Sequence, residues 1–312
     1  MGVHNTSEVT DWLTVALAST LNSSNPFRSE AIARRLSEKS QAYFESQMIL
    51  CSAFLKRGNV ESLSKTVEDA LGLTHNNELR FARLKDLLGT VDWMKGNLES
   101  ALEHFHEARR IADKNNDDHL VAVTLGHIGV VHKEREDYDT ALTSYEQALA
   151  LNVEIRNRSG EAYNLCNIGN IYNARNEREK SIECYTRSNE IAQEIGSLQI
   201  EATTAGNLGV VLFNYGGDVA HARNSLERAI YALSEAKYQR SIIFEIQLAR
   251  CEEKLGNLRK AKELASLALA FAADISITLD HPNTAYHDVL AHAHRISKLQ
   301  CANELFSPSP PR

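Results

Sequence analysis

Three asparagines recur at intervals of three in the middle of the chain, at Asn167, Asn170 and Asn173. This spacing places side chains on one face of a helix, yet asparagine is a poor residue for a helix interior. A carboxamide carries both a donor and an acceptor, so it can bind the N–H and C=O groups of an extended peptide without selecting a side chain. The alternative interpretation is that these amides are solvated or bond neighbouring helices.

The sequence gives little support for a catalytic site, because two candidate motifs are incomplete. His106 and Glu107 would begin a zinc-protease motif, but Arg110 occupies the position of the second histidine. The pair Gly216-Gly217 lacks the following Lys-Ser/Thr of a phosphate-binding loop. The sequence therefore predicts a protein that is not an enzyme, and we expect no cofactor and no metal site.

A repeated pattern with a period near 40 residues must position the asparagines. Small residues recur at steps of 40, 40, 41 and 39, at Ala101, Ala141, Ser181, Ala222 and Ala261. Four positions later come Phe105, Tyr145, Tyr185, Leu226 and Ala265. A Leu/Ile-Gly-like pair precedes each small residue, ending at Gly89, Gly129, Gly169, Gly209 and Ala249. Such a period predicts a stack of repeated helix pairs.

The small residues predict how the two helices of a pair meet. Antiparallel helices approach closely only where side chains are small, so we expect each glycine to face the small residue of the second helix. The aromatic residue one turn later would fill the gap under the following pair. A large residue at Ala141 should then overpack the contact and cost about 1–3 kcal/mol.

The pattern resembles the tetratricopeptide repeat (TPR) family. The lengthened period and the run Asn167–Tyr172 are similar to the Leu-Gly-Asn subgroup, and the segment Asp280–Ala285 is similar to an inter-repeat linker of kinesin light chain. The resemblance extends from about Ser46 to Ser297. It implies an all-α fold, a right-handed α-solenoid of antiparallel helix pairs, the TPR superhelix.

The pattern also predicts a domain organisation. Residues 1–44 are expected to form N-terminal capping helices, and residues 283–305 a C-terminal capping helix. The proline-rich tail 306–312 is expected to be disordered. Between the caps, residues 45–282 form six TPR-like repeats, at about 45–82, 83–122, 123–162, 163–202, 203–242 and 243–282.

The first helix of each pair is expected to line the concave surface of the stack. In TPR relatives, asparagines at the registers of Asn170 and Asn207 grip the backbone of a ligand. The predicted peptide-binding groove comprises Trp93, Lys133, Tyr163, Asn167, Asn170, Asn173, Asn207, Phe213, Asn214 and Arg250. The clamp that other TPR domains form on acidic chaperone C-termini is not predicted, because its cation positions hold Cys166, Ile243 and Gln247.

Composition limits the partners. The net charge of −7 disfavours binding to nucleic acid, and no apolar run is long enough for a membrane span. The N-terminus lacks the basic and apolar regions of a signal peptide. The five cysteines are odd in number and scattered, which is typical of reduced thiols. We therefore expect a cytoplasmic protein, mainly monomeric, with a homodimer as the alternative.

Two functions follow from this interpretation. The first is a non-catalytic protein–protein interaction scaffold or adaptor, whose concave groove binds a peptide segment of another protein. The alternative is a peptide- or ligand-responsive TPR regulator, which changes curvature on binding and controls an effector protein.

Overall fold

A computed structural model describes residues 14–19, 26–35, 42–74, 77–215, 218–235, 241–274 and 285–299. Within these ranges every regular element is an α-helix, in agreement with the predicted all-α fold. The predicted tail 306–312 lies outside the described residues. So does most of the segment that is similar to kinesin light chain.

The chain divides into two compact units, and the first comprises Met1–Arg156. A helical stretch at residues 14–19 comes first. It is followed by α1 (Pro26–Ala33), α2 (Tyr43–Lys56), α3 (Val60–Leu71), α4 (Glu78–Met94), α5 (Leu98–Lys114), α6 (Asp118–Glu134) and α7 (Tyr138–Glu154). From α1 to α7, each of these helices packs against the next one within the unit.

The second unit comprises Asn157–Arg312. Its helices are α8 (Arg158–Ala174), α9 (Arg178–Glu194), α10 (Leu198–Asn214), α11 (Val219–Glu235), α12 (Ile242–Lys254), α13 (Leu258–Asp274) and α14 (Ala285–Ser297). Consecutive helices again pack together, and α10 also contacts α8 and α12. Each unit is thus a stack of helix pairs, which is the α-solenoid arrangement.

Most helices from α4 onward contain 17 residues and end in a three-residue turn of one form. In the turn after α6, the Asp137 N–H bonds the carbonyl of His132 at 2.9 Å, a helix-ending contact that requires a left-handed residue between them. Glu136 occupies that position with φ +59°. The side chain of Asp137 then accepts a hydrogen bond from the Thr140 N–H at 3.2 Å and caps α7.

The contact inside each helix pair differs from the predicted one. A Cβ atom added to Gly89 would lie 2.6 Å from the Phe105 ring, and one added to Gly129 would lie 2.7 Å from Tyr145. At both positions the side chain nearest to the glycine is therefore the aromatic ring of its own pair, whereas the small residue was predicted there. A flat ring can lie directly on a helix backbone only where no Cβ intervenes.

The same contact recurs in the second unit, where a Cβ on Gly169 would lie 2.8 Å from the Tyr185 ring. At Gly209 both ideas apply, because Leu226 Cγ would be 2.6 Å away and the carbonyl of Ala222 3.0 Å. The small residues Ala101, Ala141, Ser181, Ala222 and Ala261 are all fully buried. None of the described helices is long and apolar enough to cross a bilayer.

Candidate functional site

The first helices of the pairs in the second unit, α8, α10 and α12, carry aligned rows of polar residues. Counting from Gly169, Gly209 and Ala249 gives equivalent positions on the three helices. Two residues before these positions stand Asn167, Asn207 and Gln247, and one residue after them stand Asn170, Val210 and Arg250. Five residues after them stand Ala174, Asn214 and Lys254. We call this surface the first-helix face of the second unit.

Asn170 and Asn207 bond each other across neighbouring first helices. The Asn207 side-chain amide donates to Asn170 Oδ1 at 3.2 Å, and the hydroxyl of Tyr185 donates to the same oxygen at 2.7 Å. Among the described residues, the amide N–H groups of Asn170 and the Oδ1 of Asn207 have no further partner. Both residues are half-buried, so this bond fixes an available donor and an available acceptor.

Two tyrosine hydroxyls form hydrogen bonds with asparagine side chains of α8. Burial raises the pKa of Tyr185, so its hydroxyl remains a donor at any physiological pH. The hydroxyl of Tyr215 lies 3.4 Å from Asn173 Oδ1 and 3.2 Å from Asn176 Oδ1. The amides are therefore oriented by the protein itself.

Three other predicted residues lie on the same helices. Asn167 is half-buried and Asn214 is exposed, and neither has a hydrogen-bond partner among the residues described. The side chain of Tyr163 is 44 % exposed. These residues extend the polar surface to both sides of the Asn170–Asn207 bond.

Phe213 is buried beneath two cations. Only 3 % of it is exposed, because the Arg250 guanidinium lies 4.6 Å and the Lys254 ammonium 4.3 Å from the centre of its ring. Arg250 also donates to Gln247 Oε1 at 2.9 Å, and burial lowers the pKa of this guanidinium. The outer surface here is therefore cationic, whereas the sequence suggested an aromatic one.

Trp93 and Lys133 belong to the first unit. Trp93 is half-buried and packs against the cluster that contains Phe105. Among the described residues, its buried indole N–H has no hydrogen-bond partner. Lys133 is half-buried on α6. The second unit therefore holds the remaining eight residues of the predicted groove, namely Tyr163, Asn167, Asn170, Asn173, Asn207, Phe213, Asn214 and Arg250.

The first unit has an ionisable pair at an equivalent place. His127 Nδ1 lies 2.8 Å from Asp86 Oδ1, and the Phe105 ring lies 5.1 Å from the imidazole. Burial lowers the pKa of His127, but the charge and hydrogen bond of Asp86 outweigh it, so the net shift is upward. Like Asn170 and Asn207, this pair joins the first helices of successive repeats.

The sequence interpretation missed the tyrosine hydroxyls as partners of the asparagines. Tyr185 was assigned only a space-filling role. A signal was present, because Tyr185 stands fifteen residues after Asn170, whereas Phe105 stands fifteen after Thr90. An aromatic residue with a hydroxyl at this position can bond an amide one helix earlier.

The thiols of two buried cysteines are poorly reactive. Burial raises the pKa of Cys51 to about 12 and the pKa of Cys251 to about 11, so both are poor nucleophiles at neutral pH. In the part of the chain that the structure describes, no cluster of three or more His, Cys, Asp or Glu could hold a metal ion.

Repeated helix pairs, three of which are closed by an aromatic ring on a glycine of the first helix, define a helical-repeat protein of the TPR class. Residues 45–294 match the MalT-like TPR region. The chain belongs to this family.

Comparison with individual proteins agrees with this class. Over 102 residues the chain is 30% identical to the 43 kDa receptor-associated protein of the synapse from Tetronarce californica. That match covers 33% of this chain, which spans only 25% of the relative's length.

Solved structures show the fold. A signal transduction ATPase with numerous domains from Pyrococcus horikoshii, which has a TPR sensor, is 18% identical with a TM-score of 0.67. The match covers 92% of this chain and 47% of that one. A Rap protein complexed with competence and sporulation factor is 15% identical with a TM-score of 0.62, covering 93% and 86%.

Proposed function

We propose that this protein is a non-catalytic scaffold or adaptor, and that the first-helix face of its second unit binds an extended peptide segment of another protein. The observation that carries the proposal is the bond between Asn170 and Asn207. It holds one amide donor and one amide acceptor in fixed positions on a half-buried surface. A ligand that bonds them meets groups that are already oriented, which lowers the entropic cost of binding.

The chemistry of a peptide backbone fits these groups. An extended peptide presents one N–H and one C=O per residue, and each carboxamide can accept the first and donate to the second. Packed helices lie roughly 8–10 Å apart, and an extended chain rises about 3.3 Å per residue. About three peptide residues would therefore separate the contacts made with successive first helices.

Two amides allow this proposal to be tested without disturbing the internal bond. Asn167 and Asn214 have no hydrogen-bond partner among the described residues, so the double variant N167A/N214A should keep the wild-type melting temperature. A heptapeptide display library selected on the purified wild-type protein supplies the probes. We expect N167A/N214A to bind the selected peptides roughly ten-fold more weakly in fluorescence polarisation, since two hydrogen bonds are lost.

The matched control is Gln193→Ala, which removes an exposed amide from α9, a second helix. It should leave peptide affinity unchanged. Equal affinities for the control and for N167A/N214A would contradict the assignment of this face.

The likeness to the Rap protein complexed with competence and sporulation factor favours a second candidate, a peptide-responsive regulator. On this proposal the stack changes curvature when the peptide binds and thereby controls an effector protein. Small-angle scattering with a saturating selected peptide should then show a smaller radius of gyration. Unchanged dimensions at saturation would leave only the scaffold.

We also propose a cytoplasmic protein that is mainly monomeric and does not bind nucleic acid. The thiols of Cys51, Cys166, Cys184 and Cys251, which form no disulfide among the described residues, and the net charge of −7 support this proposal. Light scattering of the purified protein and titration with duplex DNA at low salt test its last two parts.

A further inference from the structure

Two cations converge on one aromatic ring at the end of the first-helix face. Arg250 and Lys254 are one turn apart on α12, and both charged groups lie over Phe213 of α10. Because they share one ring, their positive charges are close together. The ring attracts each cation, but it does not neutralise either charge.

In the described residues, neither Arg250 nor Lys254 has a carboxylate within ion-pair distance. The adjacent acids are already engaged. Both oxygens of Glu253 accept hydrogen bonds from Arg295 at 2.6 Å, and Glu252 is bound by Lys260 at 2.6 Å.

The Arg250 guanidinium is partly buried and lies near a further cation, Arg295. Burial lowers the pKa of Arg250 and repulsion from Arg295 lowers it further, while attraction from Glu253 offsets part of this shift. Among the described residues the partly desolvated guanidinium has no ion-pair partner. In a chain of net charge −7, this arrangement is one that an anionic ligand would stabilise.

The pair continues the amide rows of the neighbouring helices. Arg250 occupies the register of Asn170, and Lys254 occupies that of Asn214. A peptide held by the amides of α8 and α10 would therefore reach the two cations on α12. Neither Arg250 nor Lys254 occupies a position of the clamp that other TPR domains form on acidic chaperone C-termini. The clamp position nearest to Arg250 in sequence is Gln247.

We infer that Arg250 and Lys254 bind a carboxylate of the peptide, and this inference rests on the proposed function. Arg250 can give the carboxylate two parallel N–H bonds, and Lys254 can add a point charge. The carboxylate belongs either to the free C-terminus or to an Asp or Glu side chain. The site thus makes the face selective for acidic peptides.

The test uses the same heptapeptide library, displayed with a free C-terminus, on the full chain. Wild type and the variant R250Q/K254Q are selected in parallel. Synthetic versions of the enriched peptides are then compared as free acids, as C-terminal amides, and with Asp/Glu replaced by Asn/Gln. We expect wild type to lose roughly ten-fold or more in affinity when the bound carboxylate is removed, and R250Q/K254Q to show no such loss.

Two further variants separate charge from packing. R250K/K254R keeps both charges over the Phe213 ring and should keep the carboxylate preference. R259Q/K262Q makes the same change of charge on α13 and should behave as wild type. The melting temperature of each variant establishes that it is folded.

Every outcome of this experiment either supports or overturns the inference. If wild type binds peptides whose affinity is the same with and without carboxylates, the inference is overturned while the proposed function stands. The same conclusion follows if R250Q/K254Q keeps the carboxylate preference. If no peptide is enriched on wild type, the proposed function fails and the inference fails with it.

Discussion

The two units share the same arrangement of helix pairs, but different polar side chains join their successive first helices at equivalent positions. In the first unit, Asp86 and His127 join neighbouring first helices through an ionisable contact of 2.8 Å. In the second unit, Cys166 and Asn207 stand at the same registers, and Asn207 donates to Cys166 Sγ at 3.9 Å as well as to Asn170. Each pair is separated by 41 residues along the chain.

This comparison separates what the repeat requires from what it leaves free. The glycine under an aromatic ring recurs in both units, at Gly129 with Tyr145 and at Gly169 with Tyr185. The contact between repeats does not recur, since it titrates in one unit and is neutral in the other. The shared frame holds the helices together, whereas the polar pair between successive first helices differs from one unit to the other.

The largest expected effect comes from breaking the shared frame. Gly129→Val and Gly169→Val each place a side chain within the volume of a buried ring, and overpacking of this kind should cost about 2–3 kcal/mol. Urea unfolding of the two variants measures it. Gly72→Ala is the control, because its new Cβ would meet only the Asp69 carbonyl at an ordinary 3.7 Å.

Similar losses in the two variants would establish that the frame is common to both units. A loss at Gly169 that is absent at Gly129 would contradict the comparison.

The next effect belongs to the neutral network of the second unit. Asn170→Ala removes the acceptor of the Tyr185 hydroxyl and should cost about 1–3 kcal/mol, since a polar group is left without its partner. Adding Tyr185→Phe should restore part of this loss. A double-mutant cycle by urea unfolding gives the coupling energy, and a coupling of zero would mean that the hydroxyl does not depend on Asn170.

The ionisable pair predicts a pH dependence that the contact between Asn170 and Asn207 lacks. The pKa of His127 is raised above its ordinary value of 6.5 by Asp86, so folding favours the protonated imidazole. The stabilisation is complete below the unfolded-state pKa and is lost as pH rises through the higher folded-state pKa. The effect should be modest, because 37 % of the His127 side chain is exposed.

Melting temperatures of wild type and Asp86→Asn across this pH range measure the contribution. The variant should show a flatter dependence above pH 6.5. Replacing His119, which is exposed on the same helix, by Asn serves as the control and should keep the wild-type slope. A wild-type slope in Asp86→Asn would rule out this pair as the cause.

The smallest effect concerns the turns. Glu136 in the first unit and Asn176 in the second both have a left-handed backbone, with φ +59° and +58°. Asparagine tolerates this conformation better than glutamate. Glu136→Gly should therefore raise the free energy of unfolding by about 0.5–1 kcal/mol, and Asn176→Gly should raise it less. Thermal unfolding compares them, and the reverse order would contradict the explanation.

Much of the fold could be predicted because the period of the small residues can be read directly from the sequence. The buried positions at Ala101 and Ala141 were confirmed. The residue that was predicted to contact each glycine was not confirmed, because sequence spacing does not show where a ring such as Tyr145 packs within its helix pair. The three-dimensional contact decided that point.

The candidate site was predictable to a similar extent. The spacing of Asn167, Asn170 and Asn173 placed them on one helix, but the donors that orient them come from elsewhere in the chain. Phe213 looked like a surface aromatic because nothing local indicates that Arg250 lies over it. Contacts between residues 37 or more positions apart depend on the stacking of repeats, which a periodic pattern does not specify side chain by side chain.

The uniform turns have a consequence for how such a chain can change in length. Helices begin at Glu78, Asp118, Arg158 and Leu198, each 40 residues after the one before. A segment cut at two equivalent turns has ends of the same conformation, so it can be duplicated or deleted with both joins intact. This chain can therefore lengthen by tandem duplication of one gene segment. Each new copy adds a first helix on which a different pair of polar residues can evolve.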